Sequence, residues 1–197
     1  MKIQNPNSSY EHESSGSLMC VPACINMILK RRNIPTYSQL EIACELGLVV
    51  PHHLLSQYPC AKTSEDEKDW GVHPQAKETS IDLFLKKKGV SLAFKYIGAH
   101  NLPSESVVDF LVDNLRQDND IIVGYDYAAV FNDGKNVGHV SLIKSVNSII
   151  ETVELVDPED TNIVSVQLKD LLRGVFQKKD GFWIFADSIE KIMHEYV

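Results

Sequence analysis

Residues 16–32, Gly16-Ser17-Leu18-Met19-Cys20-Val21-Pro22-Ala23-Cys24-Ile25-Asn26-Met27-Ile28-Leu29-Lys30-Arg31-Arg32, read as a polar approach followed by a buried helix. Pro22 suits the first helical turn, where its missing N–H would have had no partner. Ala23, Ile25, Met27 and Ile28 supply the apolar run, and Lys30, Arg31 and Arg32 close it where the helix dipole favours cations. Cys20 therefore stands at or just before the helix N-terminus. Free N–H groups and partial positive charge there favour a thiolate over a thiol. Cys24 lies about one turn further on, so Cys20 is the functional candidate and Cys24 the packing one.

Working outward, residues 1–17 are polar and aperiodic, and the last part of this lead-in is placed to line a site. Helices are expected over about 19–32, 37–47 (with Ser38 as cap), 77–88 and 104–117 from their apolar spacing and stop signals. Between them, residues 48–76 form a long irregular stretch, the usual property of a lid or binding loop. Trp70 in this stretch either packs against a cleft or anchors the loop to the core.

Beyond residue 118 the pattern turns to strands: 121–127, 137–145, 150–156, 163–166 and 182–186, after an earlier one over 90–97. Asn132-Asp133-Gly134-Lys135 is a turn of the kind that joins hairpin strands. A short helix near 168–175 interrupts the strands, and another over 188–197 closes the chain. Helices first and strands later, without regular alternation, indicate an α+β fold with a helical part packed on a mostly antiparallel sheet. The simplest organisation is one domain over 1–197. It comprises a loosely ordered lead-in (1–15), a mainly helical half (16–118), a β half (119–187) and the closing helix.

The chain has 197 residues, 44% hydrophobic and 23% charged, with a formal net charge of −8. That charge, with no basic stripe, excludes nonspecific nucleic-acid binding. No apolar run approaches the ~20 residues that span a bilayer, and the N-terminus lacks the apolar centre of a secretory signal, which points to the cytoplasm. Cys20, Cys24, Cys44 and Cys60 form no Cys-x-x-Cys pair, so each reads as a free thiol in a reducing compartment. His12, His52 and His53 do not converge on a metal site, and neither a metal nor any other cofactor is expected.

A cysteine nucleophile needs a base, and the base needs a group to orient it. His139 opens the strand Gly138-His139-Val140-Ser141-Leu142-Ile143, and Asp157 ends the next in Val156-Asp157-Pro158. Paired as a hairpin, the start of one strand and the finish of the other lie side by side, at one edge of the sheet.

Cys20-Val21-Pro22-Ala23-Cys24, Gly138 to Ile143 and Val156-Asp157-Pro158 resemble the papain-like cysteine peptidases, most closely the bacteriocin-processing, double-glycine leader peptidase family. Gly71-Val72-His73-Pro74 and the strand Gly181-Phe182-Trp183-Ile184-Phe185 extend the resemblance. It implies a papain-like fold, Cys20 as nucleophile, His139 as base and Asp157 as the orienting residue, acting on a peptide or amide substrate. Trp70 and His73 become candidates for the substrate cleft. Two positions depart from the family: Val21 replaces a Gly, and no Gln stands shortly before the nucleophile. The oxyanion hole would then draw on the Cys20 backbone N–H and a hydroxyl of Ser14, Ser15 or Ser17. The Gly138-His139-Val140-Ser141 stretch also resembles the phytochelatin synthase group, which leaves acyl transfer open beside hydrolysis, and a non-catalytic peptide-binding role as a third reading.

Overall fold

The computed structural model describes residues 1–4, 9–72, 74, 79–101, 106–133 and 137–192. Seven strands form one antiparallel sheet: β1 (Lys2–Gln4), β4 (Ala93–Gly98), β5 (Asp120–Asp126), β6 (Gly138–Asn147), β7 (Thr152–Val156), β8 (Ile163–Gln167) and β9 (Gly181–Ala186). Their order is β4-β9-β5-β6-β7-β8. On one side of the long strand β6, β5 covers Gly138–Ile143, and β1 takes over along Ser145–Asn147. The fold class is the α+β arrangement expected, with helices on both faces of the sheet.

Strand alternation sorts the core into two layers. On one face Ile121, Val123, Phe182 and Ile184 pack under α4 (Val107–Arg116) and α6 (Leu168–Lys178), with Phe110, Leu111, Leu171 and Val175. On the other, Ile122, Val140, Leu142, Trp183 and Phe185 meet Ile25 and Ile28 of α1 (Cys20–Arg31), Ile42 of α2 (Gln39–Glu45) and Phe84 of α3 (Ile81–Lys87). Ser38 caps α2 as expected, its hydroxyl accepting from the Glu41 N–H at 3.1 Å. No described helix is long and apolar enough to cross a membrane.

The lead-in is held more firmly than its polar composition implies. Tyr10 OH donates to Asp120 Oδ1 at 2.6 Å, Ser15 N–H to the Pro158 carbonyl at 2.8 Å, and Glu13 accepts from Asn26 and Gln39. The closing helix reduces to a short 3-10 turn at Ile189–Lys191, and residues 193–197 lie outside the described residues. In the expected 132–135 turn, Asn132 ends α5 (Tyr127–Phe131) in left-handed conformation; residues 134–136 lie outside the described residues.

The long stretch after α2 is a compact appendage. Val49–Val50 (β2) and Lys62–Thr63 (β3) pair in parallel, and Leu48 and Val50 bury against Met19 and Ala43. Cys44 and Cys60 form a disulfide across 16 residues, which corrects the expectation of four free thiols. Such bridges persist in oxidising surroundings, whereas the expectation of free thiols assumed a reducing compartment. The expectation failed because spacing along the chain says nothing about which cysteines meet. A closed loop of this length stabilises by about 3 kcal/mol. Cys60→Ser is expected to lower unfolding stability by that order in a urea titration, against the oxidised wild type.

Candidate active site

α1 brings Cys20 to the site as its first residue. Met19 occupies the cap position without a side-chain hydrogen bond to the first turn. Pro22 carries no N–H, and the Ala23 N–H closes on the Met19 carbonyl at 3.0 Å. The N–H groups of Cys20 and Val21 are the first-turn donors with no helical carbonyl opposite them. Cys20 is partly exposed, whereas Cys24 is fully buried with its Sγ 3.9 Å from the Val140 carbonyl. Burial, then the nearby charges of Cys20 and Asp157, push the Cys24 thiol up, so it packs as a neutral group.

The β6–β7 hairpin brings His139 and Asp157 together as the strand argument anticipated. His139 Nε2 lies 2.9 Å from Asp157 Oδ2, and both residues are buried. An ionised carboxylate only accepts, so Nε2 carries the proton, and the opposite nitrogen, Nδ1, is left for the thiol of Cys20. Burial alone would lower the His139 pKa; the hydrogen bond to Asp157 and the attraction of the neighbouring Cys20 and Asp157 outweigh it and push it up to about 10. Burial would likewise raise Asp157, but the His139 hydrogen bond and charge, with donors from Glu159 N and Ser141, hold it below the usual carboxylate range.

The imidazole is fixed by its neighbours. Tyr125 meets it edge-on at 5.7 Å between centroids and Tyr127 at 5.5 Å. His12 Nε2 donates to the Asp157 backbone carbonyl at 3.0 Å, so the lead-in also ties down the backbone of Asp157.

Cys20 and His139 open into a cleft of about 1070 Å³, whose walls include Val21, Trp70, Tyr127 and Trp183. Ser17 lines it; Ser14 and Ser15 are not among the described residues that do. Ser14 is exposed, with its carbonyl accepting from Gln39, and the Ser15 hydroxyl is buried without a hydrogen-bond partner. Trp70 satisfies both of its readings, lining the cleft while its Nε1 donates to the Ser64 carbonyl at 3.0 Å. His73 lies outside the described residues.

Tyr125, Tyr127, Ser141 and Trp183 escape the sequence reading. Two of them left a trace there: Trp183 stands in the strand that extended the resemblance, and Ser141, two residues past His139 on a strand, shares that residue's face.

No family model matches the chain, and no curated protein does. Among solved structures, one described as a C39-like peptidase from Bacillus anthracis superposes with a TM-score of 0.61 at 11% identity, covering 94% of this chain and 98% of that one. Xylellain, a cysteine protease from Xylella fastidiosa, reaches 0.49 at 11% identity, covering 94% and 85%. The likeness to the first extends over nearly the full length of both chains. The chain has the papain-like, C39-type peptidase fold that its motifs implied.

Proposed function

We propose that this protein is a cysteine peptidase or amidase that works through Cys20, His139 and Asp157 and a covalent thioester. The observation that carries the reading is the buried His139–Asp157 contact at 2.9 Å, with the same imidazole lining one cleft with the cysteine that begins α1. The description of the Bacillus anthracis structure as a C39-like peptidase supports it.

In this mechanism the thiolate of Cys20 attacks the substrate carbonyl carbon, and the oxygen takes the negative charge. The Cys20 and Val21 N–H groups, at the positive end of α1, are the donors offered to that oxygen; of Ser14, Ser15 and Ser17, Ser17 is the one that lines the cleft. As the C–N bond breaks, imidazolium His139 gives its proton to the leaving amine and a thioester remains on Cys20. Water then attacks the thioester, His139 takes its proton, and the acid leaves with the thiolate restored. If an amine replaces water, the same steps perform acyl transfer.

The test is labelling with iodoacetamide over pH 5–9, read by mass spectrometry on the oxidised protein. Cys20 is expected to alkylate far faster than Cys24 near neutral pH. Equal and slow rates at both cysteines would favour the non-catalytic peptide-binding reading. Incubating a peptide thioester with and without an added amine then separates hydrolysis from transfer, by whether acid or amide is released.

A further inference from the structure

The Asp157 carboxylate is held by more than His139. Its Oδ2 also accepts from Ser141 Oγ at 2.8 Å and Tyr125 OH at 3.3 Å, and its Oδ1 from the Glu159 N–H at 2.8 Å. Ser141 and Tyr125 are both fully buried. Their positions follow from the ladder: Ser141 is two residues beyond His139 on β6, and Tyr125 is the residue opposite His139 on β5. The two hydroxyl oxygens lie 2.8 Å apart. Ser141 Oγ donates its proton to the carboxylate, and the single phenol proton of Tyr125 is shared between Ser141 Oγ and Asp157 Oδ2.

Buried hydroxyls need partners, but any acceptor would serve that need. These two converge on the oxygen that faces His139. With the hydroxyls on Oδ2 and the Glu159 N–H on Oδ1, the carboxylate cannot rotate freely about its Cβ–Cγ bond, and a lone pair of Oδ2 stays aimed at Nε2. Burial, then the charge of Asp157, keeps the Tyr125 phenol protonated and so a donor.

We propose that Tyr125 and Ser141 are positioning residues that lock the Asp157 carboxylate onto His139. The inference rests on the assignment of Cys20, His139 and Asp157 to the reaction. The remaining titratable groups near the pair come from every element packed on it: Cys20 and Cys24 from α1, Tyr127 from α5, His12 from the lead-in, and Glu159 beyond β7. All are retained when only the two hydroxyls are removed.

The experiment is a proton NMR titration of the His139 ring, paired with iodoacetamide labelling of Cys20 at pH 6. Ser141→Ala is expected to lower the His139 midpoint by up to about one pH unit, because a carboxylate free to rotate no longer holds a lone pair on Nε2. It should also slow Cys20 alkylation several-fold, and Ser141→Thr, which keeps the hydroxyl, should restore both. Tyr125→Phe removes one oxygen without changing ring packing and is expected to shift the midpoint less, in the same direction. It carries the test alone should Ser141→Ala not fold. Unchanged midpoints in the folded variants would overturn the positioning role and leave the proposed function standing. A wild-type His139 that titrates near its ordinary 6.5 would overturn both.

Discussion

His139→Ala is expected to slow alkylation of Cys20 at pH 6 by about two orders of magnitude. A thiol without a proton acceptor, with an ordinary pKa of about 8.5, is ionised to only about one part in 300 at that pH. Turnover of a peptide substrate is expected to fall further, by about 10⁴-fold, because the variant loses both the stored proton and the acid that delivers it to the leaving amine. Asp157→Ala should give the smaller alkylation loss of the two, since an imidazole remains.

The same pair ties stability to pH. His139 has a folded pKa pushed up to about 10, so its contribution is fully present below its unfolded value of about 6.5 and is lost as pH rises toward 10. Asp157, held below its ordinary value, contributes above the unfolded carboxylate pKa and loses that contribution as pH falls through its lowered folded one. Denaturation followed from pH 6 to 10 should therefore show a decline in the wild type that His139→Ala lacks. A parallel decline in both proteins would assign it to other groups.

The largest expected loss of stability lies at the far end of the same helix. Asp120, fully buried at the start of β5, accepts from Arg31 Nη2 at 2.8 Å, Arg32 Nε at 2.5 Å and Tyr10 OH at 2.6 Å. The two arginine side chains are themselves only 3% and 8% exposed, which decides the sign of the effect. Removing the carboxylate leaves buried cations short of charge compensation, a change that costs about 3–5 kcal/mol. Asp120→Ala should show a loss of that order in urea unfolding, while Tyr10→Phe, which spares the ion pairs, should cost about 1 kcal/mol. A loss under about 1 kcal/mol for Asp120→Ala would mean that Asp118 and Asp187, which also bond these arginines, carry the network instead. Arg31 and Arg32 were legible as dipole-favoured cations closing a helix. Their anchoring of α1, about 18 Å along the axis from Cys20, was not.

Local chemistry was the legible part. Pro22 and the run after it placed Cys20 at a helix start, and the apolar strands around His139 and Asp157 implied a hairpin that aligns them. These features depend on neighbours within a few residues or across one turn, so periodicity and dipole arguments reach them. The α+β class was equally accessible, because it follows from the order of helix-like and strand-like segments.

What the sequence by itself determined, then, is the elements that carry Cys20, His139 and Asp157 and the strand pairing that sets the last two side by side. Tertiary structure alone decided the rest. It joined Cys44 to Cys60, set Tyr125 opposite His139, and aimed Ser141 at the carboxylate. It also kept Ser14 and Ser15 off the cleft walls while leaving Ser17 on them. Each of these depends on the distance between segments remote along the chain and on which way a side chain turns once packed. The free energy that settles such choices comes from burying surface and satisfying polar groups across the whole core.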